Sequence, residues 1–147
     1  MAKQKKVPNH LRVPELKKVV RTGTVPDYGS TKVSWRLGAM DKGGSWSCIG
    51  IKSDVLWNLI HDKLKHFESM TIQDLLLNGG NHPVSVSEMV PEARERLIQL
   101  GLRFQEELFS LRLQGEERVW AIQDHTVLKI LWWDPNHMVC PSHKKHT

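Results

Sequence analysis

The segment from residue 108 to residue 137 constrains the fold of this chain more than any other. It contains three runs of alternating or continuous apolar residues, separated by two short turns, and the runs are 108–113, 118–122 and 126–133. The first turn contains Gly115, and the second is Gln123-Asp124-His125. Runs of this length and spacing are typical of strands joined by tight turns. The segment therefore predicts three consecutive antiparallel strands.

The remaining elements predict the fold class. Alternation predicts two earlier strands at 32–37 and 45–51, and Val84 and Val86 indicate a brief extended piece. Three helices are expected: a first one after Ser53 that runs to Phe67, a short one at 71–77, and one that follows Pro91 and ends at Gly101. We therefore predict an α+β fold, with two or three helices packed on one face of a mostly antiparallel sheet of four to five strands.

The charge of the chain is unevenly distributed. The 147 residues have a net charge of +5, but residues 1–21 contain seven Lys and Arg residues against Glu15 alone. These 21 residues therefore carry +6 and residues 22–147 carry −1. We predict a basic, partly disordered N-terminal arm at 1–31, a single α+β domain at 32–137, and a His/Lys-rich C-terminal tail at 138–147.

Composition also indicates the compartment. No apolar run approaches the roughly 20 residues of a membrane span, and the basic N-terminus lacks the apolar stretch of a secretory signal. The two cysteines, Cys48 and Cys140, are far apart and make no disulfide framework. We expect a cytoplasmic protein with no membrane partner. No glycine-rich phosphate loop is present in the sequence, and we expect no cofactor.

Residues within and after the three strands have side chains suited to binding and cleaving nucleic acid. Arg112, Arg118 and Lys129 would lie near one another if the strand register allows, and arginine binds phosphate through paired hydrogen bonds. His137 follows the turn-forming sequence Asp134-Pro135-Asn136, and histidine transfers protons near neutral pH. A neighbouring arginine would favour its neutral, basic form. The alternative interpretation is that the arginines only solvate the open face of the sheet.

Two further groups of residues have alternative interpretations. In the arm, Lys5, Lys6, Lys17 and Lys18 would neutralise backbone phosphates, or would only keep a disordered segment soluble. In the tail, four zinc-type side chains recur every three residues: His137, Cys140, His143 and His146. Pro141 interrupts any helix that would align these four, so we expect a polar tail without metal and keep the metal site as the alternative.

The three-strand segment resembles the RelE/ParE-like toxin superfamily. The residues that carry the resemblance are, in order, Leu111-Arg112-Leu113, Gly115, Arg118-Val119-Trp120, Asp124, the apolar run from Val127 to Leu131, and His137. The resemblance extends over about 53–137, with its distinctive part at 108–137. It implies small helices packed on an antiparallel sheet. It also implies the toxin of a bacterial toxin–antitoxin pair, a ribosome-associated endoribonuclease that cuts messenger RNA without a metal.

The resemblance also implies roles for individual residues. Arg118 would stabilise the charged phosphate of the transition state, and His137 would transfer the proton. Arg112 or Lys129 would hold the RNA backbone, and Trp120 or Trp133 would stack on a base. The implied partners are RNA or the ribosome, and an antitoxin protein. Two alternatives remain open: a non-catalytic nucleic-acid or ribosome-binding module that uses the basic arm, and a protein-interaction domain.

Overall fold

A computed structural model describes residues 29–141, which form a mixed five-stranded sheet with three helices. The strands are β1 (Ser34–Arg36), β2 (His82–Ser85), β3 (Glu107–Arg112), β4 (Arg118–Asp124) and β5 (Val127–Asp134). They lie in the order β1-β5-β4-β3-β2 in an open sheet. All neighbours are antiparallel except β1 and β5, which run parallel. The predicted α+β class and the antiparallel arrangement of the last three strands are confirmed.

The three helices begin and end at residues that the sequence marks. Helix α1 covers 53–67, where a π-helical segment, Leu56–Ile60, separates the α-helical turns Ser53–Val55 and His61–Phe67. Helix α2 is Ile72–Leu77 and helix α3 is Pro91–Gln99. Thr71 and Asp74 form a reciprocal capping box at the start of α2. Gly101, at φ 76°, follows the end of α3.

The prediction of a strand at 45–51 is wrong. This segment forms a loop that ends in a 3-10 turn, Cys48–Gly50. Asp41 organises the loop, because its carboxylate accepts from the Gly43 amide at 2.9 Å and its carbonyl accepts from the Cys48 amide at 2.8 Å. Both interactions are local, and they compete with the ladder of bonds that a strand requires. The fifth strand is instead β2, where the sequence indicated only a brief extended piece.

The prediction that two or three helices pack on one face of the sheet holds for α1 and α2, whereas α3 packs on the other face. Ile60 and Phe67 of α1 and Leu75 of α2 share a core with Phe109 and its same-facing neighbours on β3 and β4. Ala93 and Leu97 of α3 share a second core with Leu108, Trp120 and Ile122. Successive residues of a strand point to opposite faces, so α1 and α2 cover one face and α3 covers the other. Two-sided cover explains why β3 and β4 have apolar residues on both faces.

An irregularity in the pairing of β4 with β5 decides where the two adjacent tryptophans point. Trp120 pairs with Trp132, but the next residue, Ala121, pairs with Ile130, so β5 has one extra residue there. Trp132 is fully buried in the core beneath α3, where its indole Nε1 donates to Asp41 Oδ2 at 2.9 Å. Trp133 is half-buried against the opposite core. Both rings are therefore packed within the domain.

The packed part of the chain extends beyond the predicted domain end at residue 137. Val139, which the sequence assigns to the tail, is fully buried in the core beneath α3, and its carbonyl accepts from the Val90 amide at 2.9 Å. These contacts anchor the chain after β5 against the start of α3. Within residues 29–141, no helix has both the length and the apolarity that a membrane span requires.

Candidate functional site

A cavity of about 700 Å³ lies near the predicted site residues, on the face of the sheet that α3 covers. It lies where β3 ends, β4 begins and β5 turns into the following segment. Arg118 and His137, the two principal residues predicted from the sequence, both line it. We call it the main cavity. Its other lining side chains include His82, Ser110 and Trp120.

The strand register brings these residues together. His82, Ser110 and Trp120 are paired in one row across β2, β3 and β4. The next row pairs Arg112 with Arg118 and Arg118 with Asp134. Directly opposed residues of antiparallel strands project on the same face, so both rows contribute to one surface. The main cavity therefore draws on residues that are distant in the sequence.

Arg118 is held in place by its own turn. Its Nη1 donates to the carbonyl of Gly115 at 2.7 Å and to that of Glu117 at 3.1 Å. Within residues 29–141, Nε and Nη2 make no hydrogen bond and are available to a ligand. Burial lowers the pKa of Arg118, and the nearby Arg112 lowers it further, although Asp134 and Glu116 oppose this. Arginine nevertheless stays charged, so an anion placed here would be stabilised.

His137 is positioned by a hydrogen-bonded turn. The Asp134 carboxylate accepts from the Met138 amide at 2.8 Å, the Val139 amide at 3.0 Å and Trp120 Nε1 at 3.1 Å. The turn places His137 at φ 55°, a conformation that is uncommon for residues other than glycine. Such backbone strain is concentrated at functional sites, where the surrounding structure enforces it. Here Asp134 is the residue that enforces it.

The surroundings of His137 favour the neutral imidazole. Burial lowers the pKa of His137 below its ordinary value of 6.5, and the charges of Arg118 and His82 lower it further, against the opposing effect of Asp134 and Glu116. At neutral pH the ring is therefore mostly deprotonated and can accept a proton. This agrees with the basic form expected for a histidine beside an arginine.

Arg112 lies at the edge of the main cavity. Its backbone amide donates to Asn81 Oδ1 at 2.9 Å, and its side chain packs over Gly80, which lines the main cavity. Arg112 also lines a second, smaller cavity, together with Gly79 and Asn81. Arg112 is therefore next to the predicted phosphate site rather than at its centre.

The other predicted nucleic-acid contacts within 29–141 lie away from the main cavity or beneath it. Lys129 pairs with Ile122 and lies 3.6 Å from Asp124, at the opposite end of β4 and β5. Trp120 forms the floor of the main cavity but is fully buried, so its ring has no exposed face for a base. Trp133 packs on the other side of the sheet. The arm residues Lys5, Lys6, Lys17 and Lys18 lie outside the described residues.

Half of the alternative metal site also lies outside the described residues, because His143 and His146 follow residue 141. His137 and Cys140 both line the main cavity. Within 29–141, no three His, Cys, Asp or Glu side chains are grouped so that they could hold a metal ion. Cys140 Sγ instead donates to the Glu88 carbonyl at 3.4 Å, and burial raises the pKa of its thiol.

Two polar residues of the main cavity were missed by the sequence analysis of the site, His82 and Ser110. Alternation along the strand predicts only that Ser110 shares a face with Arg112, and the residues from Asn78 to Pro83 indicate a loop. Their role depends on the pairing of β2 with β3, which places His82 directly opposite Ser110. The Asn-His-Pro-Val sequence around His82 gives little strand signal, because proline is uncommon in strands other than those at an edge.

Comparisons of the chain with family models, with curated proteins and with solved structures found no significant match. The relationship to RelE/ParE-like toxins therefore stays a prediction that rests on residues 108–137. The function is inferred below from the geometry of the main cavity.

Proposed function

We propose that this protein is a RelE-like endoribonuclease whose catalytic site is the main cavity. One observation carries the proposal: Arg118 and His137 line the same cavity, where burial and the charge of Arg118 lower the pKa of His137. A positioned base and a fixed cationic donor are the groups that phosphoryl transfer from RNA to its own 2′-hydroxyl requires. The sequence resemblance and the chemistry of the cavity support the same reaction.

The reaction assigns one step to each residue. His137 takes the proton of the 2′-hydroxyl, whose oxygen then forms a bond to the adjacent phosphorus. Arg118 donates to the non-bridging oxygens, on which negative charge accumulates in the transition state. The bond from phosphorus to the 5′-oxygen breaks, that oxygen takes a proton from water, and the resulting hydroxide is neutralised by the proton that His137 releases. The products are a 2′,3′-cyclic phosphate and a 5′-hydroxyl, and no electron donor or acceptor is consumed.

The charges around the main cavity favour an anionic substrate. Among the described residues that line it, Arg118 is cationic, His82 and His137 are titratable, and Glu88 is the one acid. Arg112 stands directly opposite Arg118 on the neighbouring strand. Like charges in this position repel each other, and a bound phosphate would relieve the repulsion. The proposed substrate class is therefore single-stranded RNA, which presents both the phosphate and the 2′-hydroxyl.

The experiment is RNA cleavage by the purified full-length protein, free and with ribosomes, in the presence of a metal chelator. We expect products that end in a cyclic phosphate and a 5′-hydroxyl, and we expect Arg118→Ala to abolish them. Lys129→Ala is the matched control, because it also removes a cation from the sheet but at the far end of β5. Full cleavage by Arg118→Ala would overturn the proposal.

The proposed biological role is that of a toxin neutralised by an antitoxin, acting on messenger RNA at the ribosome. Its test is induction of the protein alone in a bacterium, where growth and translation should stop. The Arg118→Ala protein, induced to the same level, should leave growth unaffected. Growth arrest that survives this substitution would reject an RNase toxin that uses this cavity.

A protein-interaction function is the second candidate, and an apolar groove favours it. Trp57 of α1 is 59% exposed and lines a groove with Trp35, Leu37, Ile60 and Leu64. Exposed tryptophans beside apolar grooves are frequent energetic centres of protein interfaces. If this surface carries the function, Trp57→Ala should remove the cellular effect of the protein and Arg118→Ala should leave it intact.

A further inference from the structure

A second cavity, of about 250 Å³, lies on the α1 side of the sheet, where the loop before β2 and the end of β3 meet. Lys63 and His66 of α1 face Arg112 at the end of β3 across it, and Asn78 and Gly79 of the following loop complete its rim. None of the described residues that line it is acidic. We call it the side cavity.

The two cavities are separated by a thin wall. Gly80 lines the main cavity and Gly79 lines the side cavity, and the Arg112 side chain lies against Gly80. A Cβ atom added at Gly80 would stand 2.6 Å from Arg112 Cδ, so only glycine allows this approach. Arg112 is also directly opposite Arg118 in the strand register. A chain bound at Arg118 would have to pass these two glycines to reach the side cavity.

The cations of the side cavity are not neutralised by neighbouring acids. Within 29–141, neither Lys63 nor Arg112 forms an ion pair, and the Arg112 guanidinium makes no hydrogen bond. The loop itself is held by Asn81, which is buried, accepts from the Arg112 amide at 2.9 Å and donates to the Leu75 carbonyl at 3.3 Å. Asn81 thus fixes the rim by binding the backbone of Arg112. The side chain of Arg112 is left available to a ligand.

We propose that the side cavity binds a backbone phosphate of the RNA, one that neighbours the scissile phosphate held by Arg118. The proposal rests on the proposed function, since it extends the same substrate across the Gly79–Gly80 wall. Lys63 and Arg112 supply the charge, and the side-chain amide of Asn78 supplies a further hydrogen-bonding group. Such contacts position the strand without reading its sequence. The side cavity thereby selects chains longer than a dinucleotide.

The test compares substrates of different length. Cleavage kinetics are measured on a dinucleotide, whose one phosphate is the scissile one, and on RNAs extended by one nucleotide on the 5′ or the 3′ side. Lys63→Ala should raise KM about tenfold on one of the extended RNAs, a change typical of losing one charge-assisted contact. On the dinucleotide both KM and kcat should be unchanged. On long RNA the slope of log affinity against log salt should fall by about 0.7.

Lys65→Ala is the matched control, because Lys65 is on the same helix but lines the apolar groove near Trp57. It should leave the kinetics on all three substrates unchanged. An equal effect of Lys63→Ala on the dinucleotide and on the extended RNAs, or no effect on any of them, would overturn the side cavity as a phosphate site. Absence of RNA cleavage by the unsubstituted protein would instead reject the proposed function, and the side-cavity proposal with it.

Discussion

Arg112 and Arg118 stand directly opposite each other on β3 and β4, and Asp134 completes the row on β5. The Asp134 carboxylate is already occupied by Trp120 and by two amides of the turn that follows β5. The row therefore pairs two cationic residues across β3 and β4, and its one acid both holds the turn and partly offsets the charge of Arg118. An anion bound beside Arg118 would add to this compensation.

Inorganic phosphate should stabilise the protein through this row. A ligand that binds only the folded state raises its stability in proportion to the logarithm of ligand concentration. We expect Tm to rise with phosphate concentration at constant ionic strength for the unsubstituted protein, and we expect the rise to vanish in Arg118→Ala. Lys129→Ala should retain it. A Tm that responds equally to phosphate and to chloride would show that no specific anion site exists.

Arg118→Lys should separate charge from geometry. Lysine keeps the positive charge but cannot bond two phosphate oxygens in parallel. We expect RNA cleavage to fall roughly 100-fold in kcat, as for the loss of one fixed donor to the transition state. The free energy of unfolding, measured with urea, checks that the fold is intact. Cleavage at the unsubstituted rate would mean that Arg118 acts only through long-range charge.

The pKa of His137 should depend on Arg118. Burial and the charge of Arg118 lower the pKa of His137 below 6.5, so removing the guanidinium in Arg118→Gln should raise it. NMR titration of the ring measures this without reference to activity. In the unsubstituted protein, cleavage should increase with pH below 6.5 as the imidazole becomes neutral. A His137 pKa that is the same in both proteins would place the two groups too far apart to act together.

Asp134→Ala should destabilise the domain and disorganise the site. The substitution leaves the buried Trp120 Nε1 and the Val139 amide without an acceptor, and each unmet donor costs about 1–3 kcal/mol. We therefore expect the free energy of unfolding to fall by about 3 kcal/mol in urea titrations. Asp124→Ala is the control, since Asp124 is exposed at the other end of β4. Equal stability of the two variants would contradict this account of the turn.

Asp41 should make the domain sensitive to acid. Burial raises the pKa of Asp41, but hydrogen bonds from Arg96, Gly43 and Trp132 outweigh it, and the net pKa is lowered. A carboxyl whose pKa is lower when folded contributes stability that is present above its unfolded pKa of about 3.9 and is lost as pH falls through the folded value. We expect the unfolding free energy to fall below about pH 4. In Asp41→Asn this part of the pH dependence should disappear. If the unfolding free energies of both proteins fall in parallel as pH is lowered, Asp41 is not the cause of the acid sensitivity.

The order of residues within single segments predicted the strands and helix ends that are marked by residues close by in the sequence. The strands of 108–137 alternate and are separated by turn residues, Thr71 and Asp74 have capping-box spacing, and Pro91 and Gly101 mark the ends of α3. The segment 45–51 also alternates, but the carboxylate and carbonyl of Asp41 accept from amides of the loop, and the Trp46 carbonyl accepts from the Trp133 amide without a strand forming there. Local bonds of this kind are not visible in an apolar pattern.

The candidate site likewise has a part that the sequence alone predicted and a part that only the tertiary structure revealed. By itself, the sequence determined that a fixed cation, Arg118, and a proton-transferring side chain, His137, each stand next to a turn, because side-chain type and position relative to a turn are properties of the chain. Only the tertiary structure decided which residues surround them. The pairing of β2 with β3 brings in His82 and Ser110, the extra residue of β5 places Trp132 beneath α3, and the two-sided cover buries Trp120. Register and facing depend on contacts between distant segments, which the order of residues alone does not specify.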